Sequence, residues 1–274
     1  MWAHGRCPAA DRLEGDVITS EREPQRLQIG ELPVRVYADP QALGAAAATD
    51  AASAIRAAVA ERGEAHVILA TGTSQVAFLE ALATLPDLPW TQVELYHMDE
   101  YVGLAGDHAA SFRRFLRERI VDRVAPRAFH EIHGDTASEA EAARYGGLVA
   151  GRRIDLTCMG IGENGHLAFN DPPDARFDDP QPARVVRLDE ASRRQQVGEG
   201  HFPDLGSVPT HAITLTIPTL LAATRVQVVV PEARKAEAVR RALRGPIDEA
   251  CPASVLRRVP HATLYLDRDA AGGL

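Results

Sequence analysis

An α/β fold, one doubly wound domain around a mostly parallel central sheet, is predicted by three features of the 274-residue sequence. Short apolar runs alternate with longer segments of helical length, the pattern of strands joined by crossover helices. Several of the apolar runs end in polar, turn-rich loops, which is where open parallel sheets place their ligands. The chain is 45% hydrophobic and 25% charged, an ordinary globular balance and enough for one large domain.

The elements follow in order. Residues 1–30 carry Asp11, Glu14, Asp16 and Glu21 and no apolar core of a signal peptide, so they read as a flexible lead-in to a domain spanning 31–274. Residues 34–37 read as a short strand. An alanine-rich helix over residues 40–62 has proline in its first turn and Gly63 as its stop. Residues 66–70 form a buried strand, followed by the turn Thr71, Gly72, Thr73, Ser74 and a helix over 75–84. A strand at 93–96 runs into the polar segment 97–101. Helices are predicted over 110–121 and 137–149, and a strand over 154–159 leads into the glycine-rich run 160–172. After a stretch rich in proline and aspartate, residues 185–188, 212–217 and 226–230 read as strands, 234–243 as a helix and 262–266 as the last strand. No internal repeat and no low-complexity linker interrupts the pattern.

Charge and composition exclude several classes. The formal net charge of −8 suits neither the phosphate backbone of nucleic acid nor an anionic membrane surface. No apolar run reaches the length of a bilayer span. Cys7, Cys158 and Cys251 are too few and too scattered for a disulfide framework or a zinc site, so a reduced, cytoplasmic setting is expected. Of 30 basic residues only Lys235 is lysine. A single lysine in an arginine-rich chain is either chance or a place where a compact ammonium is needed.

Four loops fall at the carboxyl ends of predicted strands. The turn 71–74 opens a helix and offers backbone N–H groups and hydroxyls, as a phosphate cradle or as an ordinary helix cap. Lys235, at the start of another helix, adds a point charge to the same anion or sits in solvent. Asp99 and Glu100 are adjacent and point in different directions, so one of them faces the cleft as a base while the alternative is a solvated acidic turn. In the run 160–172, glycines permit close approach of backbone to ligand. There His166 and Asp171 have the spacing of a base and its orienting acid, or of a loop histidine bonded to a carbonyl. Arg193, Arg194, Gln195 and Gln196, with Glu199 and His201, read as a mobile lid or an exposed helix. His97, Asp99 and His166 have no recognised metal-ligand spacing, and neither metal nor cofactor is expected.

The segments 98–103 (Met-Asp-Glu-Tyr-Val-Gly), 160–172 and 231–236 occur in the order and spacing of the glucosamine-6-phosphate deaminase family, also called glucosamine-6-phosphate isomerases. The chain resembles that family from about residue 34 to 267. The related 6-phosphogluconolactonases look different at the first two loops, with an acid–arginine pattern and a Gly-His-Thr continuation. The resemblance implies a Rossmann-like domain and a metal-free aldose–ketose isomerisation coupled to loss of ammonia. Glucosamine 6-phosphate would give fructose 6-phosphate and ammonium. Asp99 matches the base that moves the C2 proton, His166 the ring-opening histidine that handles the O5 proton, and Asp171 the acid that orients it. Asn164 is counted with this catalytic group. Gly72, Thr73, Ser74 and Lys235 match the phosphate site, with Thr71, Glu100, Gly162 and Arg193 as further substrate contacts.

The sequence departs from the family pattern at several points. Asn164 stands where better-known members have Asp, and Asp171 where they have Glu. That leaves an imidazolium supported mainly by Asp171, whose shorter side chain requires a closer backbone or a bridging water. The lid arginine that binds phosphate in some relatives falls near Gly198, so Arg193 or Arg194 substitutes, or the phosphate relies on Lys235 and the 71–74 turn. The chain ends soon after Asp267, without the longer segment that helps form the allosteric site and hexamer of some relatives. The expectation is no activation by N-acetylglucosamine 6-phosphate, with assembly into a homo-oligomer left open. Alternative readings are an isomerase or deaminase for another hexosamine phosphate such as galactosamine 6-phosphate, a 6-phosphogluconolactonase, or a sugar-phosphate-binding pseudoenzyme. A helix-turn-helix regulator does not fit the short acidic lead-in.

Overall fold

Strands β3 (Ala65–Leu69) and β4 (Val93–His97) are buried along their whole length, so both faces of the sheet around them need cover. Their side chains alternate between two cores. Val67, Leu69 and Leu95 enter one, and Ile68 and Tyr96 the other. The computed structural model describes residue 1 and residues 23–172 and 174–274.

The central sheet has eight strands. Besides β3 and β4 these are β1 (Gln25–Ile29), β2 (Leu32–Tyr37), β6 (Ala128–His130), β7 (Leu156–Met159), β10 (Arg225–Val230) and β11 (Ala262–Asp267). Their order is β1-β2-β11-β10-β7-β3-β4-β6, parallel throughout except for the β1–β2 hairpin. All the loops that leave β3, β4, β7 and β10 therefore emerge at one edge.

One face is covered by α1 (Pro40–Arg62), α2 (Val76–Thr84), and the segment α3 (Phe112–Leu116), a π turn at Arg117–Val121 and α4 (Asp122–Val124). The Asp39 side chain caps α1 by accepting from Ala42 N at 2.8 Å, and Gly63 ends it in the left-handed region. The buried stripe of α1 is mostly alanine, and its small side chains let the helix lie close to the sheet. The other face carries α5 (Ser138–Ala150), α7 (Ile217–Leu221) and α8 (Ala236–Arg244), and with them a small antiparallel sheet. That second sheet runs β5 (Asp99–Tyr101), β9 (His211–Leu215), β8 (Ala183–Arg187). Helix α6 (Glu190–Gly198) follows β8.

Three sequence expectations change. Strand β1 lies inside the stretch read as lead-in, because residues 25–29 pair with β2; residues 2–22 of that lead-in lie outside the described residues. The strands near 185 and 212 join the second sheet instead of the central one. The polar segment 97–101 is not simply a loop: after β4 the chain stays extended, and Asp99 pairs with Thr214 of β9. Among the described residues no helix is long and apolar enough to cross a membrane.

Tyr145 of α5 pins the point where β4 gives way to β5. Its Oη accepts from His97 N at 3.0 Å and donates to His97 O at 2.7 Å, fully buried. Tyr145→Phe removes the acceptor of a buried amide, which costs about 1–3 kcal/mol. Urea unfolding should show a lower midpoint at unchanged m-value.

Candidate active site

The four loops at the carboxyl edge, roofed by α6, line one cleft. Thr71, Gly72, Ser74, Asp99, Gly162, His166 and Lys235 all line it. The strand–loop geometry expected from the sequence thus brings seven of the twelve candidate residues to one cavity.

His166 sits at the far end of the glycine loop. Its Nδ1 lies 2.8 Å from Asp171 Oδ1 and 2.8 Å from Ser192 Oγ. A carboxylate can only accept, so Nδ1 carries the proton and Nε2 faces the cleft. Gly162 makes room for that ring: a Cβ at this position would stand 2.1 Å from Nε2. Asp171 Oδ1 also accepts from Ser192 Oγ at 2.5 Å and from Asn164 Nδ2 at 3.0 Å, while Oδ2 accepts from Asp189 N at 3.1 Å. Burial pushes the Asp171 carboxyl up, but the facing His166 and the hydrogen bonds from His166, Asn164 and Ser192 outweigh it and bring its pKa down to about 2.

The two departures, Asn164 and Asp171, face each other. Asp171 reaches the imidazole directly, with no water between them. Asn164 backs the pair from behind: Oδ1 accepts from His166 N at 3.0 Å while Nδ2 donates to Asp171. A carboxylate at 164 would instead face Asp171 and Asp189, with no proton to donate.

Asp99 is buried and lines the cleft, and its carboxylate has no hydrogen-bond partner among the described residues. Burial, with Glu100 and Asp171 nearby, raises its pKa well above the usual carboxylate range. His97 fixes the backbone beneath it. Nδ1 donates to Asp99 O at 2.9 Å and Nε2 accepts from Ile132 N at 2.8 Å, with complete burial holding the ring neutral at a pKa of about 3. Both ring nitrogens are used, so His97 is a structural clamp and not a ligand.

Glu100 does not reach the cleft. It turns the other way, accepting from Tyr101 N, Phe112 N, Arg113 N and Ser111 Oγ at 2.9–3.2 Å, and so holds the start of α3. Alternation along β5 explains this, since neighbouring residues of a strand point to opposite faces. Arg193 is also turned away; its Nη2 donates to Leu205 O at 2.6 Å and Val208 O at 2.9 Å. Arg194 is exposed and pairs with Glu190. Neither replaces a lid arginine. Thr73 lies beside the cleft, with Oγ1 accepting from Arg234 Nη2 at 2.8 Å.

The 71–74 turn and Lys235 meet at the same cleft. Gly72 adopts φ 100°, a conformation that side chains disfavour, and this exposes the turn to the cavity. Lys235 is 2% exposed, and its ammonium has no hydrogen-bond or ion-pair partner among the described residues. Burial lowers its pKa from the ordinary lysine value. The sequence reading left open whether residues 193–201 were a lid or an exposed helix. Here α6 buries Ser192, Gln195 and Gln196 over the cleft. Ser192, Gln195, Gln196 and Glu199 recur at i, i+3, i+4 and i+7. That polar stripe is the sequence signal that would have marked the buried face.

The family model described as glucosamine-6-phosphate isomerases/6-phosphogluconolactonase matches residues 38–265, and the chain belongs to that family. It is 37% identical over 204 residues to a glucosamine-6-phosphate deaminase of Exiguobacterium sp., covering 74% of this chain and 78% of the relative. It is 35% identical over 203 residues to one of Bacillus thuringiensis, covering 74% and 75%. Among solved structures, a monomeric glucosamine-6-phosphate deaminase of the NagB superfamily matches at TM-score 0.80 and 31% identity, over 88% of this chain and 99% of that one. A 6-phosphogluconolactonase of Shewanella baltica shares the fold at TM-score 0.73 and 20% identity, over 88% and 100%.

The Asp171 cluster has a pH signature. With a folded pKa of about 2 against roughly 3.9 unfolded, its ionised form supports stability above pH 4, and the support is lost as pH falls toward 2. Asp171→Asn should cost about 2 kcal/mol at pH 6. The gap to wild type should narrow as unfolding is measured down to pH 3.

Proposed function

We propose that the chain converts glucosamine 6-phosphate and water to fructose 6-phosphate and ammonia. The observation that carries this reading is the sharing of one cleft by the unpaired Asp99 carboxylate, the outward Nε2 of His166 and the unpaired ammonium of Lys235. The names of the relatives that match over three quarters of their own length support it.

In this reading, Lys235 and the 71–74 turn hold the phosphate and fix the sugar along the cleft. His166 passes a proton to O5 as the ring opens, and Asp171 stabilises the imidazolium at the stages where it carries two protons. Asp99 takes the proton from C2 and returns one at C1, which shifts the carbonyl oxidation level from C1 to C2. The nitrogen is then carried on an sp² carbon, and water replaces it with release of ammonia. An acid with a raised pKa is a stronger base when ionised, which suits a carboxylate asked to move a carbon-bound proton.

The two described cysteines, Cys158 and Cys251, are free and buried, which fits a reduced, cytoplasmic setting. The direct Asp171–His166 contact argues for an active enzyme over a pseudoenzyme.

Purified protein should release ammonium and fructose 6-phosphate in equal amounts from glucosamine 6-phosphate. Faster turnover of galactosamine 6-phosphate, or of 6-phosphogluconolactone alone, would replace this reading. Asp99→Asn should lower kcat by about 10²–10⁴-fold. Gly162→Ala should abolish turnover in a folded protein, since its methyl would occupy the place of Nε2. Because Asp99 acts ionised and its pKa is raised, kcat/KM should fall on the acid side at a pH above the usual carboxylate range, and the limb should vanish in the residual activity of Asp99→Asn.

A further inference from the structure

An acid stands where an anion is expected. Glu199 lines the cleft together with Gly72, Ser74 and Lys235, and its side chain is only 5% exposed. Its Oε1 accepts from Arg234 Nη1 at 2.7 Å and from Gln195 Nε2 at 2.8 Å, and Oε2 lies 3.4 Å from His201 Nε2. The same Oε2 is 3.8 Å from the point where a Cβ on Gly72 would stand, so it borders the backbone of the candidate phosphate turn.

Arg234 is the other half of the feature. It is the neighbour of Lys235 and reaches Thr73 Oγ1 at 2.8 Å, so its guanidinium already rests on the turn. Yet it does not line the cleft. Its other contacts are carboxylates: Glu199, Glu232 at 2.5 Å and Glu163 at 3.3 Å. A guanidinium is well suited to phosphate, and here it is held by acids instead. An incoming phosphate meets the Lys235 ammonium together with the Glu199 carboxylate, and the two charges oppose in their effect on it.

We propose that Glu199 is a specificity-determining residue of the anion end, which keeps Arg234 paired outside the cleft, so that phosphate binds by taking Arg234 from it. The inference rests on the reading of Lys235 and the 71–74 turn as a phosphate site. It also accounts for the missing lid arginine near residue 198: the cation comes from Arg234, one position before Lys235, and is released by exchange of one anion for another.

The test is phosphate binding to the full chain by calorimetry, with KM for glucosamine 6-phosphate measured alongside. Glu199→Gln is isosteric and removes the competing charge. It should tighten inorganic phosphate by about tenfold and lower KM more than it changes kcat, whereas a tether that merely fixed the end of α6 would leave binding weaker or unchanged. Arg234→Gln should weaken phosphate, and the double variant should lose most of the gain of Glu199→Gln, since the two effects act through one pair. Phosphate binding equal to or weaker than wild type in a folded Glu199→Gln protein overturns the proposal. Lys235→Ala separates the two levels. If it weakens phosphate and Glu199→Gln does not tighten it, the exchange idea alone falls. If Lys235→Ala leaves phosphate binding intact, the phosphate site lies elsewhere and both fall.

Discussion

One carboxylate oxygen ties the site together. Asp171 Oδ1 receives His166 Nδ1, Ser192 Oγ and Asn164 Nδ2, which belong to the glycine loop and to the roofing helix α6. Three donors on one acceptor fix the imidazole tautomer, the ring orientation and the position of the roof in a single cluster. The arrangement holds only while the acid is ionised, and the donors themselves keep it so. Loop and helix are joined a second time where Glu163 N donates to Gln195 Oε1 at 3.0 Å. The cleft is thus shaped by polar contacts between segments far apart in the chain, over a base of parallel strands.

That base explains why so little side-chain machinery is needed to gather the site. Parallel strands send their following loops to the same edge, so Thr71, Asp99, His166 and Lys235 converge although 164 positions separate the first from the last. The second sheet adds the direction. By pairing β5 with β9 it keeps the chain extended past β4, and the alternation along β5 sends Asp99 to the cleft and Glu100 to the start of α3. Two adjacent acids therefore have different work: one is left unpaired, and the other is saturated with hydrogen bonds.

Much of this was legible in the sequence, for identifiable reasons. Strand–loop–helix alternation is a local pattern, and it located the four loops and the residues Gly72, Asp99, His166 and Lys235. The family resemblance then supplied roles that no spacing could. What escaped was whatever depends on pairing between distant segments. Strand β1 looked like lead-in because an edge strand with no buried residue carries little apolar signal. Arg193 looked available because nothing local shows that the carbonyls of Leu205 and Val208 would take it. The departures at 164 and 171 read as losses one at a time; seen in three dimensions, they are a donor and an acceptor facing each other. Glu199 and Arg234 were hidden for the same reason, since an ion pair between residues 35 positions apart leaves no periodic trace.

The solitary lysine has a chemical consequence beyond charge. With Lys235 as the only side-chain amine in the sequence, and that amine buried in the cleft, reagents selective for amines find no competing lysines on the surface. Burial also favours the neutral, nucleophilic form of the amine. The protein therefore carries a built-in handle in its own pocket: such reagents meet only the Lys235 amine and the exposed α-amine of Met1, and labelling of the former can serve as a gauge of whether the cleft is filled, with no engineered residue required.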